Sequence, residues 1–92
     1  FIYFSESMIE IFQNFGFTKN ESADLVSELF YGTALLCKQD NRSFAKIKKS
    51  VVSKGGTTEA ALQKLDRLKT KKILMESIKD AYAKAKSLGK AK

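Results

Sequence analysis

Val51-Val52-Ser53-Lys54-Gly55-Gly56-Thr57-Thr58-Glu59-Ala60-Ala61-Leu62 sets two adjacent glycines and two threonines directly before an alanine-rich apolar run. The run predicts a helix beginning near Thr58, with Ala61, Leu62, Leu65 and Leu68 inward. Glycines let the backbone turn and come close to a ligand. A helix start just beyond them offers unpaired N–H groups and the positive end of a dipole, which suits a carboxylate or a phosphate. The same residues also have a purely local reading, a Gly-Gly turn followed by a threonine N-cap. On both readings a break precedes a helix here, and the rest of the chain divides outward from it.

Upstream, Ile2 to Phe15 carries Phe1, Phe4, Met8, Ile11, Phe12 and Phe15 on one helical face, with Ile2, Tyr3 and Ile9 beside it. That stripe is wider than a surface helix needs, so it predicts burial against a partner chain. Gly16 suits the position after the helix end. Thr18-Lys19-Asn20-Glu21 has the form of a capping box opening a second helix, which should run to about Gln39. Its expected core face is Ala23, Val26, Leu29, Phe30, Thr33 and Cys37, flanked by Leu25 and Leu36. Asp40-Asn41 makes a turn, and Ser43 caps a short third helix bearing Phe44, Ile47 and Val51. Downstream, Thr70 is the expected cap of a last helix that packs Leu74, Ile78, Ala81, Tyr82, Ala85 and Leu88 and stops near Gly89. No segment alternates with period two, so the domain reads as all-α, a bundle of about five helices with no internal repeat or linker.

The chain has 92 residues, enough for one small domain with a modest core. Proline is absent, which permits long uninterrupted helices. The single Cys37 cannot form an internal disulfide and points to a reducing, cytoplasmic compartment. No apolar run approaches the ~20 residues of a membrane span. The start at Phe1 rather than Met reads as that of a fragment or a processed product. The formal net charge of +7 raises a nucleic-acid or anionic-membrane partner. The lysines, however, recur as solvated helix faces and as a basic tail from Ala83 to Lys92, without an arginine cluster or a stacking platform. Neither partner is therefore expected.

Histidine is absent, which removes histidine relays and histidine-containing metal sites; one cysteine cannot build a zinc site. Cys37 reads as a core side chain, with no histidine to activate it. There is no G-x-G-x-x-G and no P-loop. Glu6, Glu10, Asp24 and Glu28 sit at helical spacing as solvated faces. The chain holds no self-sufficient active site, so part of any catalytic apparatus must come from outside it.

Ser53-Lys54-Gly55-Gly56-Thr57-Thr58-Glu59-Ala60-Ala61-Leu62-Gln63-Lys64-Leu65-Asp66 follows the pattern Ser-Pro-Gly-Gly-x-Thr, then two residues, a small residue, an aliphatic and a later Leu. With the helix begun by Phe1-Ile2-Tyr3-Phe4, the break at Asn14-Phe15-Gly16-Phe17 and Ala34-Leu35-Leu36 before the signature, the chain to about Leu88 resembles the C-terminal domain of pyrroline-5-carboxylate reductases. Lys54 stands where the family usually has proline, and Val52 where a small or hydroxylated residue is usual. The resemblance implies a helical bundle like the C-terminal domains of 6-phosphogluconate dehydrogenases, dimerised by interlocking helices. It also implies an N-terminal Rossmann domain that binds NADPH or NADH and is missing from this chain, so that the chain alone should be inactive. The implied reaction is hydride transfer from the nicotinamide to the C=N carbon of 1-pyrroline-5-carboxylate, giving L-proline. In that picture the Ser53 hydroxyl binds the substrate carboxylate. The Gly56, Thr57 and Thr58 backbone amides complete its cradle, Gly55 belongs to the same substrate-binding loop, and Val51 lines the ring pocket. Thr58 carries the catalytic role, a hydroxyl hydrogen bond to the ring nitrogen.

Other functions fit the residues too: a helical homodimerisation module without a catalytic role, or a small basic nucleic-acid binder. A related NAD(P)-dependent dehydrogenase acting on another carboxylate is disfavoured by the Ser53 to Leu65 signature.

Overall fold

A computed structural model describes residues 1–90 as five helices with, among the described residues, no strand. In chain order these are α1 (Ile2–Asn14), α2 (Lys19–Gln39), α3 (Phe44–Ser50), α4 (Thr57–Arg67) and α5 (Thr70–Lys90). The all-α expectation and the number of elements hold. Ala91 and Lys92 of the expected basic tail lie outside the described residues. The chain divides into two compact units, Phe1–Ile47 and Lys48–Lys92.

In the first unit, α1 ends in a Schellman motif built from sequence-local chemistry. Gly16 takes φ +105°, the Gly16 N–H donates to the Gln13 carbonyl at 3.0 Å, and the Phe17 N–H donates to the Phe12 carbonyl at 3.2 Å. The hydrophobic contact that accompanies such an end is the Phe12–Phe17 pair, edge to face at 6.1 Å. Two residues later α2 opens with a complete capping box. The Thr18 hydroxyl accepts the Glu21 N–H at 3.1 Å, and the Glu21 carboxylate accepts the Thr18 N–H at 2.8 Å. The Thr18 N–H, and then its hydroxyl, hold the Glu21 carboxyl below its ordinary range.

α1 folds back on α2, where the Phe30 ring meets Phe1 (6.3 Å) and Phe4 (6.2 Å) in T-shaped pairs. Val26 and Ile47 are the buried hydrophobic residues of the described chain. Ser22 is fully buried beside them without an unmet donor, because its hydroxyl returns to the Thr18 carbonyl at 2.8 Å. The rest of the expected α2 face is only partly covered: Ala23, Phe30 and Cys37 are half-buried, while Leu29 and Thr33 are exposed. Between α1 and α2 lies an open apolar groove lined by Phe4, Met8, Val26, Leu29, Phe30 and Thr33.

The link from α2 to α3 is clamped by Asp40 and Arg42. Arg42 Nε lies 3.0 and 3.1 Å from the two Asp40 carboxylate oxygens, Nη2 lies 2.7 Å from one of them, and the Arg42 N–H adds a bond of 2.9 Å. The guanidinium bonds first, and the backbone N–H second, hold the Asp40 carboxyl down to about 2 from its ordinary 3.8. A depressed carboxyl stabilises the fold above its unfolded value and loses that contribution as pH falls through its folded value. The clamp is therefore expected to act in full above about pH 4 and to release as pH falls towards 2. In a carboxyl NMR titration Asp40 should titrate near 2, and Arg42→Ala should return it to the ordinary range. An ordinary Asp40 midpoint in the unsubstituted chain would contradict the clamp. Ser43 caps α3 as expected, its hydroxyl accepting the Lys46 N–H at 3.3 Å.

In the second unit α4 packs on α5, and the junction corrects one expectation. Thr70 does not cap α5. Its hydroxyl reaches back to the Leu65 carbonyl at 2.8 Å and so closes the end of α4. The Lys69 N–H bonds the Asp66 carbonyl at 3.0 Å, and Lys69 itself turns left-handed with φ 59°. The physical reason is that the last carbonyls of α4 lack intrahelical donors, and a hydroxyl three residues past Arg67 can supply one.

A second correction concerns α5. The face expected to pack inward is not buried: Ile78 is 68% and Tyr82 69% exposed, and Leu74 and Leu88 are exposed with them. On α4, Ala61, Leu65 and Leu68 are exposed as well and Leu62 is half-buried. A 21-residue helix lying on one of 11 residues leaves much of its length without a neighbour. The helical period is correct, but this chain by itself does not supply the surface that the period calls for.

Candidate functional site

The six residues singled out in sequence, Val51, Ser53, Gly55, Gly56, Thr57 and Thr58, lie just past the end of α3, in one tight turn and in the first residues of α4. The turn is Ser53-Lys54-Gly55-Gly56, closed by the Gly56 N–H donating to the Ser53 carbonyl at 2.9 Å. Gly55 holds its third position with φ +74°, and Lys54 is not left-handed, which makes this a type II turn. Glycine is needed at Gly55 for that angle alone, since a Cβ there would meet nothing within 4 Å.

Gly56 is needed for a different reason. A Cβ on it would stand 3.1 Å from the Ser53 carbonyl oxygen and 3.2 Å from the Ser53 Cβ. The close approach this glycine permits is thus to the turn's own backbone. Its N–H is spent on Ser53, so the carboxylate cradle expected from Gly56, Thr57 and Thr58 loses its first donor.

α4 starts one residue earlier than expected. Gly56 is its N-cap, in extended conformation and with no side-chain capping bond. Thr58 is therefore the second residue of the helix and does not cap it. The first backbone bond of α4 runs from the Ala60 N–H to the Gly56 carbonyl at 3.2 Å. The N–H groups of Thr57, Thr58 and Glu59 precede it and have no acceptor within the helix. Their donors, together with the helix dipole, face solvent at a point where Ser53, Thr57 and Thr58 are all exposed. That arrangement can accept a carboxylate on backbone N–H groups with hydroxyls alongside. Val51, 60% exposed, stands at the foot of the turn with its N–H on the Lys48 carbonyl at 3.2 Å.

The turn also accounts for the proline that the resemblance leads one to expect at Lys54. The second position of a type II turn favours proline, whose ring presets the required φ. Lys54→Pro is expected to stabilise the protein by about 0.5–1 kcal/mol through the unfolded state. A thermal or denaturant melt that shows a loss of stability would contradict the turn assignment.

Sequence reasoning passed over Glu59. Its Oε1 accepts the Gly55 N–H at 3.0 Å, tying the first turn of α4 to the loop. The signal was present in the spacing Gly56-Thr57-Thr58-Glu59, a glutamate at capping-box distance from a residue with no side chain to complete the box. Among the described residues no group of three or more His, Cys, Asp or Glu is placed to hold a metal ion. None of the described helices is long and apolar enough to cross a membrane.

Comparison with known proteins gives the chain a family. Residues 1–88 match the family model described as pyrroline-5-carboxylate reductase dimerisation. A pyrroline-5-carboxylate reductase of Synechocystis is 35% identical over 66 residues, which are 72% of this chain and 25% of that protein. The chain thus spans about a quarter of the length of the curated relative it matches. No solved structure matches it significantly. With the family model covering nearly the whole chain and the Gly-Gly turn opening onto a helix start, this chain belongs to the pyrroline-5-carboxylate reductase dimerisation family.

Proposed function

We propose that this chain is the dimerisation and substrate-binding domain of a cytoplasmic pyrroline-5-carboxylate reductase, which reduces 1-pyrroline-5-carboxylate to L-proline with NADPH or NADH. The observation that carries the reading is the uncapped start of α4 beside the Ser53–Gly56 turn, in a chain of this family. The Thr57 and Thr58 N–H groups receive the substrate carboxylate, and the Ser53 hydroxyl adds a donor. The Thr58 hydroxyl holds the ring nitrogen, where a proton must reside in the product, and Val51 flanks the ring.

The described residues hold no strand and the sequence no glycine-rich dinucleotide motif, so they do not fit the nicotinamide cofactor. Cofactor binding belongs to an N-terminal Rossmann domain of the full-length protein, and the chain's own part is to bind and orient the imine. The homodimer is supported by the family's description and by the exposed apolar faces of α1 and α5. An intermeshed dimer with the architecture of the 6-phosphogluconate dehydrogenase C-terminal domains would cover both faces. No nucleic acid or membrane enters the reading.

The test is pyrroline-5-carboxylate-dependent oxidation of NADPH and of NADH by the full-length protein. Turnover with either cofactor supports the assignment. Absence of turnover with both would leave a helical dimerisation module.

A further inference from the structure

Two helix starts in this chain carry a glutamate at the third helical position, and they use it differently. At α2, Glu21 takes the N–H of the capping residue Thr18, and Thr18 returns a hydroxyl to the Glu21 N–H. At α4 the capping residue is Gly56, which has no side chain, and its N–H is already committed to Ser53. Glu59 reaches one residue further back and takes the Gly55 N–H at 3.0 Å. Gly55 follows the central peptide of the type II turn, the one between Lys54 and Gly55.

The orientation of that peptide separates a type II turn from a type I turn. The two differ chiefly by a flip of the central peptide, which reverses its N–H and its carbonyl. In a trans peptide the N–H and C=O point in opposite directions. With the Gly55 N–H turned towards Glu59, on the first turn of α4, the Lys54 carbonyl is turned away from α4. A flip would bring that carbonyl towards the helix. Lys54 lies four residues before Thr58, so once Gly56 also turned from its extended ψ of −179° into the helical region, the flipped carbonyl would be the acceptor with which the Thr58 N–H extends α4.

We propose, on the carboxylate-site reading above, that Glu59 is a positioning residue. Its carboxylate locks the Lys54–Gly55 peptide and so keeps the Thr58 N–H free for the substrate's carboxylate. Glu59 touches neither substrate nor cofactor in this role. Its importance comes from the glycines: Gly55 tolerates either sign of φ, so the sequence that allows the turn also allows the flip, and Glu59 selects between the two states.

The test compares full-length Glu59→Ala and Glu59→Gln with the unsubstituted protein, using two readouts. The first is the KM for 1-pyrroline-5-carboxylate. Glu59→Ala should raise it about tenfold, the scale of one lost charge-assisted hydrogen bond, with a smaller change in kcat. Glu59→Gln keeps an acceptor oxygen and should restore KM to within about twofold. The second is amide hydrogen exchange at Thr58, which does not depend on turnover. The Thr58 amide should exchange fast in the unsubstituted protein and gain protection in Glu59→Ala. An unchanged Thr58 exchange rate in Glu59→Ala overturns the lock, as does a fall in thermal stability with KM unaltered. Should the unsubstituted protein show no turnover while Thr58 gains protection in Glu59→Ala, the lock stands and the substrate assignment falls.

Discussion

Thr58→Ala in the full-length protein is expected to lower kcat/KM for 1-pyrroline-5-carboxylate by about 10- to 100-fold, the loss of one hydrogen bond to a charged or ionising group. The structure makes this a sharper test than the sequence alone allows. From sequence, a threonine at a helix start could owe any defect to lost capping, worth about 1 kcal/mol. In the fold the cap is Gly56, and Thr58 is the second helical residue with an exposed side chain. Alanine favours a helix over threonine by up to ~0.5 kcal/mol, so the variant should melt no lower than its parent. Loss of turnover with unchanged or improved stability identifies a ligand role. Normal turnover removes Thr58 from the site and leaves its backbone N–H as the only contribution at that position.

Ile78→Lys is expected to split the proposed homodimer. Ile78 is 68% exposed in the single chain, on a face of α5 shared with Leu74 and Tyr82. Full burial of an isoleucine contributes about 1.5–3 kcal/mol, and a two-fold symmetric interface carries each substitution twice. Introducing an unpaired ammonium adds a desolvation cost on top. The dissociation constant should therefore rise at least about 100-fold, which converts a dimer to monomer at micromolar protein in sedimentation or light scattering. An unaltered mass would place this face of α5 outside the interface and return the search to α1, where Phe1 is 98% exposed.

The contrast between these two sites shows where sequence was readable. Ends of helices were legible because their determinants lie within a few residues. Thr18 and Glu21 form the capping box that their spacing announced, and Gly16 ends α1 with the left-handed φ expected of it. Thr70 misled because a hydroxyl at the junction of two helices can serve either one, and the left-handed turn at Lys69 aims it at Leu65. At the signature loop, sequence identified the turn and the helix but not the division of its N–H groups. Gly56 is committed to Ser53 and Gly55 to Glu59, assignments that depend on φ values and on the reach of a glutamate side chain.

An all-α chain, the ends of its first helices and the place of the Gly-Gly turn could be read from the residues alone, because helical period, capping chemistry and glycine's freedom at positive φ are all local. The width of the apolar stripe on α1 likewise called for a partner chain, whereas the α5 face read as one that packs inward. Tertiary structure decided which apolar positions find a neighbour: Val26 and Ile47 are covered, whereas Leu74, Ile78 and Tyr82 are not. It also decided which donors at the start of α4 stay open. Periodicity fixes only the direction in which a side chain points along its helix; whether anything lies there depends on where the other helices run.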